Sequence, residues 1–328
     1  GRWRALGKRW DPGWGDSGLR TAEEGEAAQE SLDQQRRRTV PRRELEQHED
    51  FEDVSPDVGQ LDEAAFEELL AEDPDEALSM LADMTGATDE RLRELARRLA
   101  ARVVLDLARS GPPRARGVGR LRRRSAAVAV GDLDVEASLD AIVEARAGGG
   151  APPLDDLYVN EWSRPDTALC LVIDASGSMG GDRLAMAGLA AAAAAFRAPV
   201  DHSVLSFSDR VIAIKSQDVP RDVDAVVDDV FCLRGHGPTD LDFALTQARV
   251  QLERSRARRR VTVLLSDCEA TTGDDPVPAA RLLDELLIIA PEEARDEADR
   301  LGVAAGADVT TLSGPSDVAR AFGRLLGS

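Results

Sequence analysis

Two kinds of hydrophobic pattern divide the chain, and the change between them falls near residue 164. Before it, at 61–84 and 92–108, apolar residues recur at intervals of three and four. Leu92, Leu95, Leu99, Val103 and Leu107 share one side of a helix. After it, short apolar runs at 168–173, 202–207, 261–265, 286–289 and 309–312 are separated, for the most part, by stretches suited to helices. Short apolar runs of this kind suit strands buried on both faces. Val211 to Lys215 follows its predecessor after only Ser208, Asp209 and Arg210, too few residues for a crossover, so it pairs antiparallel at an edge. The expected fold class is α/β, a doubly wound, mostly parallel sheet with one antiparallel edge strand, plus an N-terminal helical region. Right-handed crossovers make the strands at 168–173 and 261–265 neighbours, with a crevice at the switch point between them.

Four segments follow from this pattern. Residues 1–58 are polar and weakly periodic, with Trp3, Trp10 and Trp14 scattered among Gly and Arg, and are expected to be extended or partly disordered. Residues 59–110 form a small helical region. Residues 111–163 form an Arg-rich linker with a helix at 133–147, bounded by Gly111-Pro112-Pro113 and by a Gly/Pro break at 148–153. Residues 164–328 form the α/β domain.

Composition narrows the function classes. A net charge of −20 argues against a nucleic-acid partner, and the arginines at 114–124 have no interleaved aromatic residues for base stacking. Residues 44–90 hold no Lys or Arg, a block expected to be a solvated face. The longest apolar run, 184–196, is mostly alanine and too short to span a bilayer, and no signal peptide is visible. Three widely spaced cysteines without a Cys-x-x-Cys pair point to a reducing, cytoplasmic setting. The excess of arginine over lysine, with abundant alanine, points to a bacterial gene.

The densest chemistry lies where the run at 168–173 ends. Asp174, Ser176 and Ser178 alternate through a tight turn in which Ala175 and Gly177 let the backbone fold closely, turning oxygens to one side. Thr239 stands in a Gly237-Pro238-Thr239-Asp240 loop before a helix, and Ser266-Asp267 ends the run at 261–265. An all-oxygen set selects a hard cation such as Mg2+, whereas zinc would recruit His or Cys. The histidines His48, His202 and His236 are scattered without a His-Glu-x-x-His pattern, and there is no Gly-x-x-x-x-Gly-Lys phosphate loop or Gly-x-Ser-x-Gly elbow.

This order of segments resembles the von Willebrand factor type A (VWA) domain and its metal-ion-dependent adhesion site (MIDAS). The resemblance implies that Ser176, Ser178 and Thr239 touch the ion while Asp174 and Asp267 act largely through water. It also implies that a partner's carboxylate completes the coordination. Pro238, where the family loop reads Gly-Gly-Thr, and Cys268, where a small residue commonly follows the last Asp, depart from the pattern; Cys268 is expected to be a small buried residue. With the Arg-rich stretch, Asp132-Leu133-Asp134 and Glu161-Trp162, residues 111–328 resemble the CoxE-like proteins and the C-terminal part of magnesium chelatase D subunits, most strongly from 165 onward. That resemblance implies a non-enzymatic, Mg2+- or Mn2+-dependent adaptor that brings a MoxR-type AAA+ ATPase to a client protein for remodelling, assembly or metal insertion. The alternatives are a chelatase D-like subunit, a metal-free scaffold, or a hydrolase using the ion as Lewis acid with Asp240, Asp242 or Glu269 as base.

Overall fold

The computed structural model describes residues 20–110, 120–127, 132–163, 167–177, 179–235 and 237–326. The first helices among the described residues are α1 (Glu26–Arg36), α2 (Arg42–Leu45), α3 (Phe51–Val54), α4 (Glu63–Glu72), α5 (Pro74–Met84) and α6 (Glu90–Ser110). Strands β1 (Arg120–Ser125) and β2 (Asp132–Leu133), helix α7 (Val135–Ala147) and strand β3 (Tyr158–Ser163) follow. The remainder runs β4 (Thr167–Asp174), α8 (Gly181–Arg197), β5 (His202–Phe207), β6 (Val211–Lys215), α9 (Val223–Val230), α10 (Leu241–Glu253), β7 (Arg259–Leu265), α11 (Pro276–Arg281), β8 (Leu286–Pro291), α12 (Arg295–Ala305), β9 (Asp308–Leu312) and α13 (Val318–Leu326).

The main sheet has the order β6-β5-β4-β7-β8-β9, parallel throughout except for β6, which runs antiparallel to β5 at the edge. The strand runs, the antiparallel edge and the adjacency of β4 and β7 are as the hydrophobic pattern predicts. Side chains alternate across β4: Leu169, Leu171 and Ile173 enter one core, and Ala168, Cys170 and Val172 enter the other. On the first face lies α8, buried at every position from Leu184 to Ala195. Alanine at 190–195 suits this, because α8 is covered again by α5 and α6, and a helix buried all round has no polar face to spare.

Two expectations are corrected. From residue 20 to 58 the chain is folded rather than partly disordered: Leu32, Leu45, Phe51 and Val54 are each at most 1% exposed and belong to the same core as α8. Trp3, Trp10 and Trp14 lie outside the described residues. The helical region is therefore a second layer on the α/β domain, with its apolar faces joined to that domain's core. Within 111–163, the linker gives way to a three-stranded antiparallel sheet of order β1-β3-β2, with Arg120 opposite Ser163 and Ser125 opposite Tyr158. The strand β1 reads Arg-Leu-Arg-Arg-Arg-Ser, so no apolar run marks it in the sequence. Asp134 closes this unit, capping α7 through the Ala137 N–H and accepting from Arg123 Nε at 2.8 Å. Arg259 and Arg260 begin β7, with Arg259 paired to Glu285.

Candidate metal centre

β4 ends at Asp174, beside Phe207 of β5 and next to the end of β7, so the switch point of the sheet falls where the sequence places it. The Asp174 carboxylate is fixed through both oxygens. Oδ1 accepts from the Ser176 backbone N–H at 2.9 Å and from Ser176 Oγ at 2.6 Å; Oδ2 accepts from Ser266 Oγ at 2.6 Å. Gly177, at φ 62°, turns the chain back after Ser176. Burial pushes the Asp174 carboxyl up from its ordinary value and the charge of Asp267 adds to this, while the bonds from Ser176 and Ser266 pull it down.

The Thr239 loop closes onto the same turn. A Cβ at Gly235 would stand 2.0 Å from the Gly177 carbonyl and 2.7 Å from the Met179 nitrogen, so this approach of backbone to backbone requires glycine. Asp240 N–H donates to the carbonyl of Ser208, one residue past the Phe207 partner of Asp174. Thr239 is 4% exposed, and its N–H donates to Thr271 Oγ1 at 2.7 Å. Asp267 accepts the Glu269 N–H at 3.1 Å and stands 3.4 Å from Arg183 Nη2. Asp174, Ser176 and Asp267 thus converge at the ends of β4 and β7, with the Thr239 loop packed against their turn. Ser178 and His236 lie outside the described residues.

Local spacing in the sequence misses several side chains here. Ser266 tethers Asp174 from 92 residues away, and Thr271 holds the Thr239 loop. Arg183, one turn into α8, supplies a cation beside Asp267. Cys268 is the one non-glycine residue with positive φ among those described, at 63°, a conformation that costs about 1–3 kcal/mol in a residue with a side chain. Its thiol is buried, as expected, and is pushed up to about 12 by burial and by Asp267 and Asp174. His202 is structural: Nδ1 lies 2.8 Å from the Ala198 carbonyl, and burial and Lys215 depress it to about 4.

The donors fit a hard divalent ion. Two carboxylates and two hydroxyl side chains supply oxygen alone, and the Ser176 hydroxyl, donating its proton to Asp174, keeps its lone pairs for a cation. The candidate bases for a hydrolase fare differently. Asp240, 3% exposed, caps α10 through Oδ1 and is paired with Arg20 through Oδ2, so both oxygens are already engaged and buried. Asp242 faces the carboxylates of Asp274, Asp240 and Asp275 and is raised first by burial and then by them.

A family model described as VWA domain containing CoxE-like protein matches residues 95–292, more than half of the chain, and its match begins inside α6. A search of curated proteins returned no match. Similar solved structures include a D319A mutant of the PilB minor pilin from Streptococcus sanguinis, with 12% identity, TM-score 0.40, and coverage of 52% of this chain and 63% of the pilin. A von Willebrand factor type A protein from Catenulispora acidiphila matches with 18% identity, TM-score 0.38, and coverage of 52% and 43%. A manganese-loaded TRAP protein from Plasmodium vivax matches with 16% identity, TM-score 0.38, and coverage of 47% and 71%. The chain thus spans less than two thirds of the pilin and of the Catenulispora protein.

Proposed function

The chain belongs to the VWA domain containing CoxE-like family, and from that premise we propose that it is a metal-ion-dependent, non-catalytic adaptor that couples a MoxR-type AAA+ ATPase to a client protein. One observation carries this reading: a buried carboxylate, Asp174, tied by hydroxyls to Ser176 and Ser266 at the point where the Thr239 loop and Asp267 meet it. Asp174, Ser176, Ser178, Thr239 and Asp267 would hold Mg2+, or Mn2+. When bound, such an ion supplies a fixed positive charge able to take a carboxylate oxygen from another protein.

The chain's own groups do the rest. Asp174 orients Ser176, Ser266 orients Asp174, and Gly235 lets the Thr239 loop press on the serine turn, so the donors are positioned before any ligand arrives. A family of this kind is consistent with a role without catalysis, and the commitment of Asp240 to Arg20 and to its helix cap weighs against the hydrolase alternative. Among the described residues no helix is long and apolar enough to cross a membrane. Work in the cytoplasm, in assembly of a client or in chelatase-like metal insertion, accords with this reading and belongs to the proposal.

Magnesium should raise the melting temperature of the full chain, because a ligand that binds only the folded state stabilises it by about 2.7 kcal/mol at a hundred times its Kd. Asp174→Ala and Thr239→Ala should abolish that shift while remaining folded by circular dichroism. In a pull-down with the purified ATPase and client, chelator and Asp174→Ala should each remove the signal. Binding that ignores both would reject the metal bridge, and turnover of phosphate or ester substrates lost in Ser176→Ala would favour the hydrolase.

A further inference from the structure

Asp240, the residue after Thr239, is held by a side chain 220 positions earlier in the chain. Arg20 Nη1 donates to Asp240 Oδ2 at 2.5 Å, Nη2 donates to the Asp209 carbonyl, and the guanidinium lies 4.1 Å above the Phe243 ring. The other Asp240 oxygen accepts the Phe243 N–H at 3.1 Å. Asp240 is 3% exposed, and Gly273 closes over it so tightly that a Cβ there would stand 2.2 Å from Oδ1. A carboxylate buried this deeply keeps its place through its partners, and Arg20 is its cationic one.

Arg20 is itself anchored. Glu23 N–H donates to the Val211 carbonyl at 2.7 Å and the Ala213 N–H donates to the Glu23 carbonyl at 2.8 Å, so residues 22–24 add in parallel to the outer edge of β6. Ala22 N–H donates to Gln247 Oε1 of α10, and Glu24 is held by Arg254 and Gln251 at 2.6 Å each. The arm therefore closes the one antiparallel edge of the sheet and ends its reach on the loop that carries Thr239.

We propose that residues 20–24 are an intramolecular latch on the metal loop and that Arg20 is a positioning residue for Thr239. This rests on the metal site proposed above. Arg20 fixes Asp240, Asp240 fixes the start of α10, and the two together set where Thr239 presents its hydroxyl. Coupling of this kind is reciprocal, so metal binding tightens the arm as the arm tightens the metal site.

Titration of the full chain with Mn2+, followed by electron paramagnetic resonance and calorimetry, tests this. Arg20→Ala should weaken Mn2+ binding about tenfold, within the usual range for coupled sites, and Arg20→Lys should restore part of the loss by returning a cation to Asp240. Arg249→Ala, on the exposed side of the same helix, should leave the affinity unchanged. Hydrogen exchange at Glu23 and Ala213 should slow on adding Mn2+ to the native chain but not to Arg20→Ala. Equal Mn2+ affinity in the native chain and both Arg20 variants would overturn the latch while leaving the metal site standing, even if the alanine variant melts lower. Absence of Mn2+ binding by the native chain would overturn both.

Discussion

The two faces of the main sheet are covered in different ways. One face carries α8 and then, outside it, α5 and α6, so α8 lies between two layers. The other carries α10, α11 and α12 as a single layer, and α10 keeps an exposed side with the Arg249–Glu253 pair. The covered face spends alanine and glycine where two layers must approach, and the open face keeps the amphipathic stripe of a surface helix. The serine turn leaves the end of β4 and the Asp267 loop leaves the end of β7, while the Thr239 loop joins α9 to α10. The serine turn leads into the doubly covered helix, whereas the Thr239 loop leads into the singly covered one.

This difference predicts unequal costs for the same truncation. Phe231, 2% exposed, fills the space over Gly188 of α8, where an added Cβ would stand 2.6 Å from its Cζ. Phe231→Ala should destabilise the chain by about 3–5 kcal/mol, the cost of deleting a buried aromatic whose surroundings cannot collapse. Phe243, on the singly covered side, is 9% exposed and shielded by the Arg20 guanidinium. Its alanine variant should cost less, since water can enter where the guanidinium now lies. Chemical denaturation of both variants measures the two values; a Phe243→Ala cost equal to or above that of Phe231→Ala would break the comparison.

How far the sequence reveals this depends on the range over which each group acts. β4, β7 and β8 were legible because their runs are apolar at nearly every position, and α5 and α6 because their period is helical. The segment at 20–58 was not, since α2 and α3 are four residues each and bury only one or two side chains, Leu45 in the first and Phe51 and Val54 in the second, too few to show a period. The site divides the same way. Asp174 and Ser176 are two residues apart and announce themselves, whereas Ser266, Thr271 and Arg20 act across 92, 32 and 220 residues and become visible only once the sheet brings strand ends together.

The join between the two layers should show a smaller effect with a pH signature. Asp83 of α5 accepts the Gly181 N–H at the start of α8 at 2.7 Å and lies 3.1 Å from His48 Nε2, while His48 Nδ1 lies 2.7 Å from Glu76. Asp83→Ala removes the acceptor for a helix-start N–H and should cost about 1–3 kcal/mol. The bond to Asp83, followed by that to Glu76, holds the His48 imidazolium above its ordinary 6.5. A group whose folded pKa is raised contributes its full stabilisation below the unfolded value and loses it as pH rises through the folded one. The native chain should therefore lose stability as pH rises from about 6.5 through the raised His48 pKa, and His48→Gln should flatten that slope. An unchanged slope in His48→Gln would separate the histidine from the join.

The smallest expected effect is on the open face. Arg249 and Glu253 of α10 pair at 2.5 Å with side chains 40% and 52% exposed, one helical turn apart. Solvent screens such a pair and its long side chains lose rotamer freedom to form it, so Arg249→Ala should change stability by no more than about 0.5 kcal/mol. The same substitution leaves the arginine of the arm and the buried side of α10 untouched, and for that reason the melting temperature should hardly move. A loss above about 1 kcal/mol, the top of the range for exposed pairs, would mean that this side of α10 is packed against something. The contrast between a doubly and a singly covered sheet would then fail at the helix that begins at the metal loop.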